Sequence, residues 1–312
     1  MSFAFWRSAP KVIPRLPGRV AVVTGAAHGI GRALAIGLRE RGCHLALVDV
    51  DAEGLTHVAS SLAASRHDQR VTLHVADVSD RVRMRELAQE VASAHGVVDV
   101  LINSAGIAHE AAFPQTSLEE WDRIIAVNLL GVIHGCHFFL PYLARADRGH
   151  IVNLSSLLGV VAMPGQCAYT ATKFGVRGFS EALQEELRMT SVGLTLVHPG
   201  AVATGIMLRA RGDDPDLLRR IDGWYERNAL RPDRVAERII RAIERGTPRL
   251  LIGADAVFGD VLKRLLPVAG NALFVNVAIR MLGVEYMRAR RLAQWRRTML
   301  GEEKVDEHGG IQ

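Results

Sequence analysis

Tyr169 and Lys173 stand four residues apart in Tyr169-Thr170-Ala171-Thr172-Lys173. On a helix that spacing puts the phenol and the ammonium on one face. A free tyrosine titrates near ~10, too high to exchange protons at neutral pH. A neighbouring cation favours the phenolate, and a value closer to the working pH is what proton transfer to or from an alcohol or carbonyl oxygen requires. Ser156, thirteen residues before Tyr169, offers a hydroxyl to the same oxygen. Lysine suits the cationic role better than arginine, because its compact charge carries three rotatable donors that also reach ribose hydroxyls. Of 38 basic residues only Lys11, Lys173, Lys263 and Lys304 are lysines, so a chain that otherwise uses arginine keeps lysine where this chemistry needs it. Alone, Tyr-x-x-x-Lys is usually an exposed helix pair, and a serine at a strand end is usually a turn residue. A second motif changes that balance.

Upstream, Thr24-Gly25-Ala26-Ala27-His28-Gly29-Ile30-Gly31 follows an apolar run and opens a helical pattern. Glycines there permit a tight turn, close approach of backbone to a pyrophosphate, and close packing of helix on strand. The helix N-terminus then presents free N–H groups to the anion. No Gly-Lys-Ser/Thr follows, so the loop is not a P-loop. Asp49 ends the next apolar run, 18 residues past Gly31, the spacing of a carboxylate that accepts the adenosine ribose hydroxyls. Such a carboxylate repels a 2′-phosphate, and the neighbours Val50 and Asp51 supply no arginine. The loop therefore predicts NAD in preference to NADP.

The elements that must position these groups alternate between positions 18 and 253. Short Val/Ile/Leu-rich runs at 19–24, 44–49, 71–76, 98–103, 150–155, 194–199 and 249–253 predict strands. Most lack strict alternation, as parallel strands covered on both faces do. Helical patterns fall near 30–42, 51–64, 80–95, 117–145, 168–190 and 232–246. The predicted fold class is α/β: a three-layer, doubly wound parallel sheet of the Rossmann type. Around it we expect an N-terminal leader over 1–17 marked by Pro10, Pro14 and Pro17, a polar lid over 204–231, an apolar and basic helical extension over 255–300, and an acidic, disordered tail over 301–312.

Charge bears on partners. Residues 263–300 hold eight basic residues against one acid, and the tail holds one base against four acids. The rest is nearly balanced, so nothing predicts a nucleic-acid face across the body. Three widely spaced cysteines, Cys43, Cys136 and Cys167, support neither a disulfide framework nor a zinc site and fit a reducing, cytoplasmic compartment. His134 and Cys136-His137 cluster on the 117–145 helix but have no acidic or further Cys/His ligand nearby in sequence, and no metal is expected. The apolar stretch 265–284 is broken by Pro267, Asn271, Asn276 and Arg280, a poor membrane span. Asp222, Glu226, Arg219 and Arg220 are expected on a solvated face.

Taken in order, these motifs resemble the short-chain dehydrogenase/reductase family over 18–253. The glycine loop matches the family's cofactor loop, through Thr24, Gly25, His28, Gly29, Ile30 and Gly31. Asp77 and Val78 match the pair that contacts adenine. Asn103-Ser104-Ala105-Gly106 matches an Asn-Asn-Ala-Gly element with serine in second place, bringing in Asn103, Ala105 and Gly106. Pro199, Gly200, Val202 and Thr204 match the segment that lies against the nicotinamide. Asn128 joins Ser156, Tyr169 and Lys173 as the catalytic tetrad. The resemblance implies hydride transfer between nicotinamide and a substrate carbon. Tyr169 exchanges the proton, Ser156 orients the substrate oxygen, Lys173 lowers the tyrosine pKa and holds the nicotinamide ribose, and Asn128 positions a water. It also implies a homodimer or homotetramer.

Met163, Gln166, Met207 and Trp224 are the candidate substrate contacts. With the other apolar lid residues they suggest a hydrophobic secondary alcohol or ketone, steroid-like or long-chain, although the same side chains could simply pack the lid. The extension 257–300 carries broad apolar faces followed by clustered arginines. It is open to three readings: a peripheral membrane contact, a cover over the cleft, or a subunit contact. An NADP-preferring reductase and a non-catalytic cofactor-sensing protein on the same fold are the alternatives.

Overall fold

A computed structural model of the chain describes residues 11–13, 15–63, 68–212, 214–283, 295 and 300. Seven parallel strands form the central sheet: β1 (Val20–Thr24), β2 (His44–Asp49), β3 (Val71–Val75), β4 (Val100–Asn103), β6 (Gly149–Leu154), β7 (Val192–Pro199) and β9 (Arg249–Ile252). Their order is β3-β2-β1-β4-β6-β7-β9, so the winding reverses between β1 and β4. In open α/β sheets ligands bind at that reversal, outside the carboxyl ends of the strands. The register brings Thr24 level with Asn103, and Asn103 level with Asn153. Every residue of β1, β4, β6 and β7 is buried, which is why those strands read as continuous apolar runs rather than alternating ones.

Helices α1 (Gly29–Glu40), α2 (Ala52–Ala63) and α8 (Pro232–Arg245) pack with one face of the sheet; α3 (Arg81–His95), α5 (Gly131–Leu143) and α6 (Cys167–Glu186) pack with the other. Helix α8 buries Val235, Ile239, Ile240 and Ile243, an i, i+4, i+5, i+8 stripe of the kind that seats a helix on a sheet. Asp80 caps α3 through Val82 and Arg83 N–H, at 2.9 and 3.0 Å. Helix α4 (Leu118–Ile125) runs through one π turn, Ala126–Leu130, into α5. The continuous stretch Leu118–Leu143 is long and apolar enough to cross a membrane by length and composition. Here it packs with α3, β4 and α6.

Three details differ from the sequence reading. The end of the leader is part of the core: Ile13 and Leu16 are buried, and the Lys11 ammonium donates to the Leu187 and Val192 carbonyls. The lid, read from the sequence only as polar, is helical in part. It contains α7 (Pro215–Asn228), started by Asp214, whose carboxylate accepts from Asp216 and Leu217 N–H with Pro215 in the first turn, a signal present in the sequence. Asp222 in α7 is buried among lid side chains rather than solvated, and burial raises its pKa, as does the nearby Glu226. A two-stranded pairing of β5 (His109–Glu110) with β8 (Arg211–Gly212) ties the loop after β4 to the lid.

Beyond β9 the extension forms α9 (Ala254–Leu265) and α10 (Ala269–Leu282). Phe274 packs with Val160 and Val161, and Val275 and Ile279 join Met207, Leu217 and Ile221 of the lid. The extension thus covers the site. The basic run in 284–299, apart from Trp295, and the acidic tail 301–312 lie outside the described residues, as do residues 1–10 of the leader.

Candidate active site

One cleft of about 1190 Å³ runs along the carboxyl ends of the strands, across the β1/β4 reversal and under the lid. Its first end is shaped by backbone. Gly25 has φ +69°, and a Cβ there would stand 2.8 Å from Ala105 Cα; a Cβ on Gly31 would overlap the Gly25 carbonyl oxygen. Both positions therefore require glycine, one for conformation and contact together, the other for contact alone. Thr24 Oγ1 accepts from the Ser104 and Ala105 N–H groups, both at 3.1 Å, and so fixes the two loops side by side. Asp49 accepts from Ala27 and Asp51 N–H at 3.0 and 3.1 Å. The His28 imidazole lies 2.8 Å from the Asp51 carboxylate.

At the middle of the cleft β6, α4–α5 and α6 converge. The Lys173 ammonium donates to the Leu154 carbonyl at the end of β6, 3.1 Å away, and lies 5.5 Å from the centre of the Tyr169 ring. Ser155 next along donates to the Lys173 carbonyl at 2.8 Å and docks α6 on that strand end. Ser156 Oγ accepts from Leu158 N–H at 3.1 Å, and its hydroxyl neighbours the Tyr169 phenol closely enough to act on its titration. His198, fully buried and held by that burial at a pKa of about 4, is neutral and donates Nδ1–H to the Ser156 carbonyl at 3.0 Å. A Cβ on Gly106 would stand 3.2 Å from Asn128 Oδ1 and 3.5 Å from the Lys173 ammonium, so the turn after β4 lies directly over both.

Burial, rather than the mutual attraction of phenol and ammonium, governs the titration of the pair. Burial lowers Lys173 to about 8. It also raises Tyr169, with the neighbouring Ser156 hydroxyl pulling the other way. The lysine charge, expected from the sequence to lower the tyrosine, is outweighed here by desolvation of both groups.

Most predicted positions line the cleft: Gly25, His28, Gly29, Ile30 and Gly31; Asp49, Asp77 and Val78; Ala105 and Gly106; Ser156, Tyr169 and Lys173; and Pro199, Gly200, Val202 and Thr204. The four candidate substrate contacts, Met163, Gln166, Met207 and Trp224, line it too. Three positions stand behind the wall instead. Thr24 is buried and bonded as above. The Asn103 amide donates to Asn153 Oδ1 at 2.8 Å and braces β4 against β6. Asn128 is fully buried on the π turn, accepting from Ile107 N–H at 2.8 Å and donating to Ile107 C=O at 2.9 Å and Thr172 Oγ1 at 3.4 Å. Its amide hydrogens are committed to protein, so the side chain acts here as a clamp on the loop after β4. Single-turn π insertions are frequent at functional sites, and this one sets Asn128 beneath that loop.

The sequence reading missed several contributors. Glu110 is buried in the cleft wall and accepts from the Gln166 amide at 2.5 Å. Asp255, in the first turn of α9, accepts from Ala201 N–H at 2.7 Å and braces the segment after β7. Phe274 and Ile279 of α10 complete the apolar end. Their signals were a lone acid in a loop and an extension with no motif, which nothing in the sequence links to a site. His134, one of the histidines weighed as a ligand, bonds the Val78 carbonyl at 2.9 Å. Among the described residues no three His, Cys, Asp or Glu side chains form a metal-binding group.

Comparison with known proteins agrees with this geometry. The short chain dehydrogenase profile matches residues 19–214. A putative oxidoreductase SadH of Mycobacterium tuberculosis is 39% identical over 256 residues, covering 80% of this chain and 91% of that protein. D-threitol dehydrogenase of Mycolicibacterium smegmatis is 38% identical over 208 residues, 66% of this chain and 79% of that one. Among solved structures, a short chain dehydrogenase/reductase from Burkholderia phymatum in complex with NAD superposes with a TM-score of 0.72 at 29% identity, covering 80% of this chain and 94% of the other. An alcohol dehydrogenase from the archaeon Thermococcus sibiricus complexed with 5-hydroxy-NADP gives 0.65 at 28% identity, covering 75% and 95%. The chain belongs to the short-chain dehydrogenase family and is an oxidoreductase with a Rossmann-type sheet and added C-terminal helices.

Proposed function

We propose that the protein interconverts a hydrophobic secondary alcohol and the corresponding ketone, with NAD as hydride acceptor and donor. The observation that carries this reading is the continuity of one cleft: a glycine-lined dinucleotide end, the Ser156–Tyr169–Lys173 group in the middle, and an apolar end walled by Met163, Met207, Ile221, Phe274 and Ile279. The bound dinucleotide supplies the hydride chemistry. Tyr169 holds or releases the proton on the substrate oxygen, Ser156 donates to that oxygen and stabilises charge developing on it, and Lys173 provides cationic donors beside the phenol. Asp49 and Asp51 line the adenosine end, and their carboxylates disfavour a 2′-phosphate. This supports NAD over NADP, although relatives of both kinds exist.

The test is NADH formation from a graded series of secondary alcohols, with ketone reduction as the reverse assay. Each methylene buried in the apolar end adds about 0.8 kcal/mol, or roughly fourfold in kcat/KM, until that end is full. A series with no dependence on length removes the hydrophobic-substrate reading. Activity faster with NADP than with NAD removes the cofactor preference and leaves the reaction class standing.

A further inference from the structure

The described residues leave large apolar side chains scattered singly over most of the surface, which is ordinary. The α9–α10 hairpin is different. Phe258, Val261 and Leu265 follow one another along α9 at helical spacing, Val268 stands at the turn, and Val277 and Met281 lie along α10; all are exposed, Leu265 by 74% and Val268 by 91%. Phe258, Val277 and Met281 also line the cleft, so the outer apolar face is continuous with the substrate end. Exposed apolar side chains concentrated on one hairpin in this way mark an interaction surface.

Charge selects the partner. The hairpin carries Lys263, Arg264 and Arg280, and the sequence 284–300 adds five arginines against Glu285. Of the hairpin's two acids, Asp260 is held by Arg249 and Arg264 at 2.6 and 3.0 Å, and Asp255 is turned inward to Ala201. Residues 1–262 are nearly balanced, so the basic excess of the sequence falls in the hairpin and the segment that follows it. Two copies of a face charged with one sign repel each other, whereas an apolar face rimmed by cations complements anionic headgroups over acyl chains.

We propose that the α9–α10 hairpin rests on an anionic lipid surface, its turn and outer faces at the headgroup boundary, with the substrate end of the cleft opening onto that surface. Docking itself stands apart from the function proposed above. Only the route, entry of an apolar substrate from the lipid, rests on that reading.

The experiment is co-sedimentation of the full chain with vesicles of phosphatidylglycerol and phosphatidylcholine, or of phosphatidylcholine alone, at low and high salt. We expect binding to the anionic vesicles, weakened by salt, and at least about tenfold weaker binding to the neutral ones. Leu265→Glu with Val268→Glu should weaken anionic binding by at least about tenfold while thermal unfolding and turnover of a short, water-soluble alcohol stay as in the parent. Equal binding to both vesicle types, or unchanged binding by the double variant, overturns the proposal. So does loss of an oligomer in the double variant, by sedimentation velocity, without vesicle binding by the parent; that result assigns the face to a second copy. Vesicle binding together with absent alcohol turnover would retain the docking surface and reject the proposed reaction.

Discussion

The two ends of the cleft are built from different materials. At the dinucleotide end the walls are main chain: Gly25 against Ala105, Gly31 against Gly25, and loops tied by Thr24 and Asp49 to backbone N–H groups. At the substrate end the walls are side chains drawn from three distant segments, with Met163, the lid's Met207 and Ile221, and Ile279 packed together or lining the same cavity. Backbone contacts of that closeness leave no room for change, whereas packed side chains exchange volume at modest cost. The first end fixes what every member of such a family must bind; the second is free to vary. Tyr169 lies where the two meet.

The largest effect is expected at that junction. Tyr169→Phe removes the exchangeable proton and little volume, so turnover should fall by about 10²–10⁴-fold, while NAD affinity, followed by fluorescence titration, stays within about threefold because the dinucleotide end is untouched. Retained turnover would show that the proton passes elsewhere. The pH dependence has a definite sign. Alcohol oxidation needs the phenolate, so kcat/KM should rise with pH; ketone reduction needs the phenol and should fall. Burial raises Tyr169, so that limb lies on the alkaline side of neutral.

Next comes Gly31→Ala, one added carbon at the backbone-built end. Its Cβ meets the Gly25 carbonyl oxygen, which has no rotamer by which to yield. Overpacking of this kind costs about 1–3 kcal/mol, and we expect NAD affinity to fall by roughly 10–100-fold by calorimetry. An unchanged affinity would mean that the loop relaxes and that the two ends do not differ as argued.

The same contrast explains what was legible in the sequence. Seven strands and their parallel arrangement followed from apolar runs, because burial on both faces leaves a local mark. The glycine loop, Asp49, and Tyr169 with Lys173 were legible because their chemistry needs fixed spacing along one turn or helix. Glu110, Asp255, Phe274 and Ile279 were not, since each reaches the cleft through tertiary packing that has no local period. The titration of Tyr169 and Lys173 was misjudged for a related reason. Sequence shows that two groups are neighbours, but not that both are desolvated, and here desolvation dominates.

Asp49→Asn sharpens the comparison from the adenosine side. Asparagine keeps an oxygen for the Ala27 or Asp51 N–H and removes the charge that opposes a 2′-phosphate. Discrimination between NAD and NADP, taken as the ratio of kcat/KM values, should narrow by about tenfold, near 1.4 kcal/mol. Preference unchanged to within about twofold would assign selectivity to Asp51 or to loop shape instead.

The smallest effect is expected from a single carbon at the other end. Ile279 is almost fully buried in the lid cluster and lines the cleft. Ile279→Val removes one methyl group there and costs about 0.5–1.5 kcal/mol of stability. Enlarging the apolar end should alter KM by only about two- to fourfold for the longest alcohols of the graded series, and leave kcat on the shortest member and NAD affinity as they were. One carbon is thus tolerated at Ile279, where neighbours are flexible side chains, and rejected at Gly31, where the neighbour is a carbonyl. If Ile279→Val instead depressed NAD binding as Gly31→Ala does, the two ends would be coupled through the lid, and the substrate end would be a part of the dinucleotide site rather than a separately adjustable wall.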